Sequence, residues 1–181
     1  MTLKITLGFE GREQSIIDMF AESFTASEGA DEGELIGCLV RDLLSQTPTT
    51  DVRVFCAEAE GRIIGTAVFT RLTYAEDPQS VFLLSPMAVT PDRQRKGVGE
   101  TLLTEALKDL RREGAQIAIT YGDPNYYKRV GFLPMTEEQA RAPLPLSQSH
   151  GWIGQSLEDG SAPLLRGPST CVSALNRADI W

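Results

Sequence analysis

The stretch from Phe82 to Leu110 leaves this chain few folds to choose from. It opens on an apolar run, Phe82-Leu83-Leu84-Ser85-Pro86-Met87-Ala88-Val89, passes a polar turn at Thr90-Pro91-Asp92-Arg93, and continues through Gln94-Arg95-Lys96-Gly97-Val98-Gly99. Leu102, Leu103, Ala106, Leu107 and Leu110 follow at the spacing that gathers side chains on one helical face, with Glu105, Lys108 and Asp109 mostly outside it. A strand therefore hands over to a helix through a basic turn that contains glycine. The first amides of a helix have no intrahelical acceptor and lie at the positive end of its dipole, which suits an anion. Gly97 and Gly99 carry no side chain to hold a ligand away from those amides, and Arg93, Arg95 and Lys96 add positive charge. A phosphate-bearing ligand is the natural guest.

Spacing narrows the choice of phosphate ligand. The mononucleotide loop G-x-x-x-x-G-K-[ST] is absent, and Gly97-Val98-Gly99-Glu100-Thr101-Leu102 lacks the third glycine of the dinucleotide fingerprint. What stands here is [Q/R]-x-x-G-x-[G/A], written as Gln94-Arg95-Lys96-Gly97-Val98-Gly99, and it resembles the acetyl-CoA pyrophosphate loop of the GNAT superfamily of N-acetyltransferases. A second piece follows in the order that resemblance requires. Gln116-Ile117-Ala118-Ile119-Thr120-Tyr121 reads as a short buried strand, and Gly122-Asp123-Pro124-Asn125-Tyr126-Tyr127-Lys128-Arg129-Val130-Gly131-Phe132 ends on the Y-x-x-x-G-F element that follows the fifth strand in these enzymes. The fuller form, G-D-P-x-Y-Y-x-x-x-G-F, is similar to the YhbS-like bacterial branch.

The resemblance implies an α/β (α+β) fold, a mixed and mostly antiparallel sheet of about seven strands flanked by helices, with the fourth and fifth strands splayed. One N-acetyltransferase domain would span residues 1–181. It also implies acetyl-CoA as cosubstrate. Gln94, Arg95, Lys96, Gly97, Val98 and Gly99 would hold its diphosphate. The backbones of Met87 and Val89 would line the pantetheine arm, with an amide near Met87 or Ala88 facing the thioester carbonyl. Pro86 fits this picture, because its missing N–H interrupts a ladder where a ligand must reach the strand.

Acyl transfer asks for a deprotonated amine, donors for the charge that builds on the carbonyl oxygen, and a proton for the departing thiolate. A thiol has a pKa of about 8.5 and a tyrosine of about 10, so a tyrosine near the sulfur keeps a proton to give at neutral pH. By the resemblance that residue is Tyr127, which also borders the coenzyme. Tyr126 points elsewhere on a helix and reads as packing or substrate-lining. No base is assigned: the fourth strand offers Ser85 and no acid, and His150 lies in a Pro/Ser/Gly-rich stretch that reads as an exposed loop.

Elsewhere, Leu3 to Leu7 alternates as a strand does. A helix carries Ile16, Ile17, Phe20 and Phe24. A loop over residues 25–30 then leads to Asp31-Glu32-Gly33-Glu34, which reads as a capping box with Asp31 as cap, opening a helix with Leu35, Ile36, Leu39, Val40, Leu43 and Leu44. In the family this region borders the acceptor site, so Phe24 and Glu28 are either substrate neighbours or, more simply, core and solvated loop. Residues 51–59 and 62–74 read as a hairpin turning at Glu60-Gly61, with Val52, Val54, Cys56 and Ile64, Thr66, Val68 alternating. Residues 152–157 and 170–175 read as last strands. Trp152 and Trp181 either line a pocket or pack the edge, and the proline-rich stretch between 136 and 149 is able to cover the acceptor.

With 181 residues, 41% of them hydrophobic, the chain has enough apolar material for one sizeable core. A net charge of −8 opposes generic nucleic-acid binding, including an acetyltransferase toxin acting on charged tRNA. No apolar run approaches the roughly 20 residues of a membrane span, and no charged-then-apolar leader precedes Leu3, so the expected location is cytoplasmic. Cys38, Cys56 and Cys171 are odd in number and widely spaced, which predicts buried reduced thiols, and a single histidine sets aside a His/Cys metal cluster. Two functions follow: transfer of acetyl from acetyl-CoA to the amine of a small molecule, peptide or protein, or a non-catalytic module that senses acetyl-CoA. A homodimer is expected only because dimers are common among similar proteins.

Overall fold

Apolar side chains at periods of two and of 3.6 sort the chain into alternating strands and helices. The computed structural model describes residues 2–181. In chain order it contains β1 (Lys4–Leu7), α1 (Glu13–Glu28), α2 (Ala30–Gln46), β2 (Val52–Ala59), β3 (Arg62–Tyr74), β4 (Val81–Val89), α3 (Val98–Arg112), β5 (Ile117–Tyr121), α4 (Pro124–Tyr127), β6 (Leu133–Pro134), β7 (Trp152–Ser156) and β8 (Ser169–Thr170). The strands form an open mixed sheet in the order β1-β2-β3-β4-β5-β7-β6, with β8 pairing β3 off that path. The pairs β1–β2, β5–β7, β6–β7 and β3–β8 are antiparallel, while β4 and β5 run parallel. The eight strands agree with the expected seven or so, two of them being only two residues long.

The chain divides into two compact units. One comprises the chain up to Phe69 together with Pro86–Ala106, and the other Thr70–Ser85 together with Leu107–Trp181. In the first, α1 and α2 bury Ile16, Phe20, Leu39, Val40 and Leu43, and Phe55 and Phe69 meet edge to face at 5.9 Å. The hairpin turns at Glu60-Gly61 as read, but β3 is buried without a break from Ile64 to Thr70. Both of its faces are covered, so polar Thr66 and Thr70 are buried beside Ile64 and Val68 and the alternation carries no information about exposure.

The expected capping box is corrected. Gly29, at φ 100°, reverses the chain in a single residue, so α1 runs to Glu28 and α2 starts at Ala30. Asp31 falls inside the first turn of α2, where its charge still complements the helix dipole without capping it.

In the second unit Trp152 is 1% exposed and donates its indole N–H to the Ala140 carbonyl at 2.7 Å. Trp181 packs edge to face against it at 6.0 Å, stacks with Tyr121 at 6.1 Å and donates to the Leu175 carbonyl. Both tryptophans therefore pack, with their N–H groups satisfied. The expected strand over residues 170–175 is also corrected: pairing stops at Thr170, and Ser173–Leu175 forms a 3-10 turn. Ala174 and Leu175 are adjacent and both buried, which a turn of helix permits and a half-buried strand does not.

Candidate functional site

The loop before α3 is built from the end of β4 onward. Thr90 donates its N–H to Ile64 O at 2.9 Å, and Pro91 opens a 3-10 turn closed by Arg93 N–H to Thr90 O at 2.9 Å. The chain then turns left-handed twice, at Arg95 with φ 58° and at Gly97 with φ 79°. Only glycine adopts that backbone at little cost, and a Cβ at residue 97 would meet open space, so the demand there is conformational. The Gln94 side-chain amide donates to Val89 O at 3.0 Å and ties the loop to its strand. Helix bonding begins with Thr101 N–H to Gly97 O at 3.0 Å, which leaves the amides of residues 98–100 ahead of it at the positive end of the dipole. Turns that contain left-handed residues are among those whose successive amides can form an anion-binding concavity.

Gln94, Arg95, Lys96 and Gly97 are exposed, while Val98 and Gly99 are buried. Upstream, β4 changes character: Val81 to Leu84 are at most 4% exposed, whereas Met87, Ala88 and Val89 are half-buried. The structure thus brings Met87–Val89 and Gln94–Gly99 together in one unit. Arg93 is corrected as a source of free charge: it is paired with Glu60 at 2.6 Å and lies 3.4 Å from Asp92.

The other motif forms a tight turn in the second unit. Asp123 caps α4 by accepting from Asn125 N–H at 2.9 Å, and Pro124 takes the first helical position, where no N–H is needed. The Tyr127 ring lies against Gly122 so closely that a Cβ there would stand 2.8 Å from its Cε2. Phe132, 1% exposed, packs at 5.7 Å from the Tyr127 ring and donates its N–H to Tyr127 O. Left-handed Gly131 lets the chain turn between them.

Burial pushes the Tyr127 phenol well above its ordinary value near 10, Tyr126 adds to the rise, and a hydrogen bond with the Thr120 hydroxyl works against it. Thr120 in turn donates to Leu84 O at 2.8 Å. This occurs at the last pair of the β4–β5 ladder, which runs from Val81↔Ile117 to Leu84↔Thr120 and ends before Pro86. Tyr127 is therefore protonated throughout the neutral range.

Ser85 is half-buried, His150 is exposed on a 3-10 turn, Phe24 is half-buried and Glu28 is exposed. All three cysteines are free, but only Cys56 is buried; Cys38 is exposed, so the expectation of buried thiols fails there. Cys38 lies on the outer face of α2, opposite its apolar stripe. Among the described residues no group of His, Cys, Asp or Glu is arranged to hold a metal, and no helix is long and apolar enough to cross a membrane. A cavity of about 360 Å³, with Arg12, Asp18, Glu22, Glu58 and Arg62 in its wall, has none of the motif residues among those that line it. Sequence reasoning missed Glu60, Arg62 and Asp92, whose ion pairs join the β2–β3 turn to the loop entry; the one local signal was a glutamate where a hairpin favours Asn or Gly.

Comparison with known proteins places these observations. Residues 50–134 match the acetyltransferase (GNAT) domain. The chain is 34% identical over 124 residues to an Escherichia coli K12 protein named as an uncharacterized N-acetyltransferase, YjhQ, covering 66% of this chain and 68% of that one. Two solved structures share the fold. The E. coli GNAT family N-acetyltransferase YhbS, in complex with CoA, superposes with a TM-score of 0.80 at 24% identity over 97% of this chain and 93% of its own. A GNAT family acetyltransferase from Brucella melitensis, in complex with acetyl-CoA, gives 0.75 at 21% identity over 96% and 97%.

Proposed function

The chain belongs to the GNAT family of N-acetyltransferases, and from that premise we propose that it moves the acetyl group of acetyl-CoA to a primary amine on a small molecule or peptide. One domain covering residues 1–181 carries the reaction. The observation that supports this reading most is the exposed, twice left-handed loop that opens on the start of α3. Relatives of the same fold hold acetyl-CoA and CoA, which agrees with it.

In this reading the amides of Gln94 to Gly99 receive the diphosphate, with Arg95 and Lys96 contributing charge from the exposed side. The half-buried backbone of Met87 and Val89 lines the pantetheine arm, and an amide near Met87 or Ala88 donates to the carbonyl oxygen as negative charge develops there. Acetyl-CoA supplies the activated acyl group. Direct attack by the amine forms the C–N bond, the C–S bond breaks, Tyr127 gives its phenolic proton to the departing thiolate, and the proton that the nitrogen sheds on becoming an amide restores the tyrosine. The raised Tyr127 pKa keeps the phenol protonated at neutral pH and also makes it a weaker acid, so its proton moves only once charge has built on the sulfur. The acceptor ammonium must lose its proton to a base outside β4, which carries no carboxylate. That same feature gives the sensor reading its one support. Three free cysteines agree with a reducing compartment, and we assign the protein to the cytoplasm.

Thioester consumption measured against amines, polyamines and peptides tests the proposal. Turnover with at least one amine is expected, and Tyr127→Phe should lower it by about 10²- to 10⁴-fold with acetyl-CoA binding retained. Tight acetyl-CoA binding with no turnover on any amine would favour the sensor. Unchanged turnover in Tyr127→Phe would remove Tyr127 from the chemistry.

A further inference from the structure

Among the described residues, two other than glycine adopt a left-handed backbone, Glu60 at φ 54° and Arg95 at φ 58°. One forms the tip of the β2–β3 turn and the other belongs to the coenzyme loop. At the tip, Glu60 precedes Gly61 at φ 72°, so both central residues of the two-residue turn are left-handed. Such a turn favours Asn, Asp or Gly in first place, and glutamate contributes nothing to it through its backbone. Residues held in a disfavoured conformation are sustained by what surrounds them, so the side chain is where the explanation should lie.

The Glu60 carboxylate accepts from Arg93 Nη2 at 2.6 Å. Arg62, at the start of β3, donates to Asp92 Oδ2 at 2.6 Å, and Arg93 Nε lies 3.4 Å from the same oxygen. Lys96 Nζ donates to the Asp92 carbonyl at 3.0 Å. Charges thus alternate from the turn to the loop: Glu60, Arg93, Asp92, Arg62. Arg93 is the most enclosed of them, its side chain 19% exposed against 69% for Glu60. Asp92 stands two residues ahead of Gln94, in a segment read as receiving a polyanion, and its two arginine partners compensate that negative charge.

We propose that the β2–β3 turn braces the coenzyme loop: Glu60 and Arg62 are positioning residues that hold Asp92 and Arg93, and through them keep the Gln94–Gly97 amides aimed at the acetyl-CoA diphosphate. The inference rests on the acetyl-CoA reading above. Neither residue needs to touch the coenzyme. Arg93 then serves the loop by pairing with Glu60 and Asp92 and not by reaching the phosphates. Because the pairs are largely exposed, the effect on affinity is modest, about two- to fivefold for loss of Glu60.

Glu60→Asn separates this role from ordinary structural support. It places a residue suited to the left-handed turn and removes the carboxylate, so the melting temperature should rise by about 2–4 °C while acetyl-CoA affinity by calorimetry falls about two- to fivefold. KM for acetyl-CoA should rise by the same factor with kcat held, and Glu60→Gln, which keeps the shape, should weaken binding to the same degree. Wild-type affinity in both variants would overturn the brace. A fall in melting temperature that tracks the lost affinity would also overturn it, because Glu60 would then be supporting the fold as a whole. No uptake of acetyl-CoA by the wild type would overturn the acetyl-CoA reading itself, and this inference with it.

Discussion

The loop before α3 and the turn after β5 both lead a strand into a helix through glycine and proline, yet different forces hold them. The turn is held by burial: Phe132 is 1% exposed, the Tyr127 ring fills the space a side chain at Gly122 would need, and Asp123 caps the short helix. The loop is held by exposed ion pairs, side-chain bonds to carbonyls and two left-handed residues, with little packed around residues 94–97. Each suits its proposed task. Packing fixes the Tyr127 ring in one place, whereas a cradle for a charged ligand must leave its amides uncovered.

The contrast breaks most readily in the packed turn. Phe132→Ala should cost about 3–5 kcal/mol of stability, read by chemical denaturation, because a buried aromatic leaves a cavity. A loss below about 1 kcal/mol would mean the turn is not held by packing. Alkaline pH offers a second, smaller test. Burial raises the pKa of both Tyr74 and Tyr127 above the ordinary value near 10. The unfolded chain therefore releases these protons first as pH rises, so their contribution to stability is complete below about pH 10 and is lost above it. Denaturation at pH 9 and 11 should show the decline, and Tyr127→Phe should flatten it; a wild-type profile level across that interval would contradict the burial argument. The loop answers to neither change and should respond instead to Glu60→Asn, whose effect on affinity is the smallest of these.

Much of this architecture could be read from residue order. The Gln94-to-Gly99 spacing located the loop, the Gly122-to-Phe132 spacing located the turn, and five residues of the second motif have a local job: Gly122 seats the ring, Asp123 caps, Pro124 takes the first helical position, Gly131 reverses the chain and Phe132 anchors the core. Local jobs leave local patterns. The ion pairs of the brace link residues some thirty positions apart, and charged residues are common on protein surfaces, so beyond a glutamate standing where a hairpin favours Asn or Gly nothing marked Glu60 or Arg62 as partners of the loop. Asp31 misled because a cap depends on where the preceding helix stops, and left-handed Gly29 carries that helix to its doorstep. The strand expected over residues 170–175 failed because short apolar runs fit a turn of helix as well as a strand.

The central claim is that the backbone of residues 94–99 grips the diphosphate of acetyl-CoA. Isothermal titration of acetyl-CoA into the wild type and into Gly97→Glu tests it most directly. A side chain at residue 97 must adopt φ 79°, and a carboxylate there would repel phosphate. The account predicts saturable uptake by the wild type and affinity weakened at least about tenfold in the variant, an expectation set by the loss of roughly 1.4 kcal/mol or more. Equal affinity in the two proteins, or no uptake by the wild type, would contradict it.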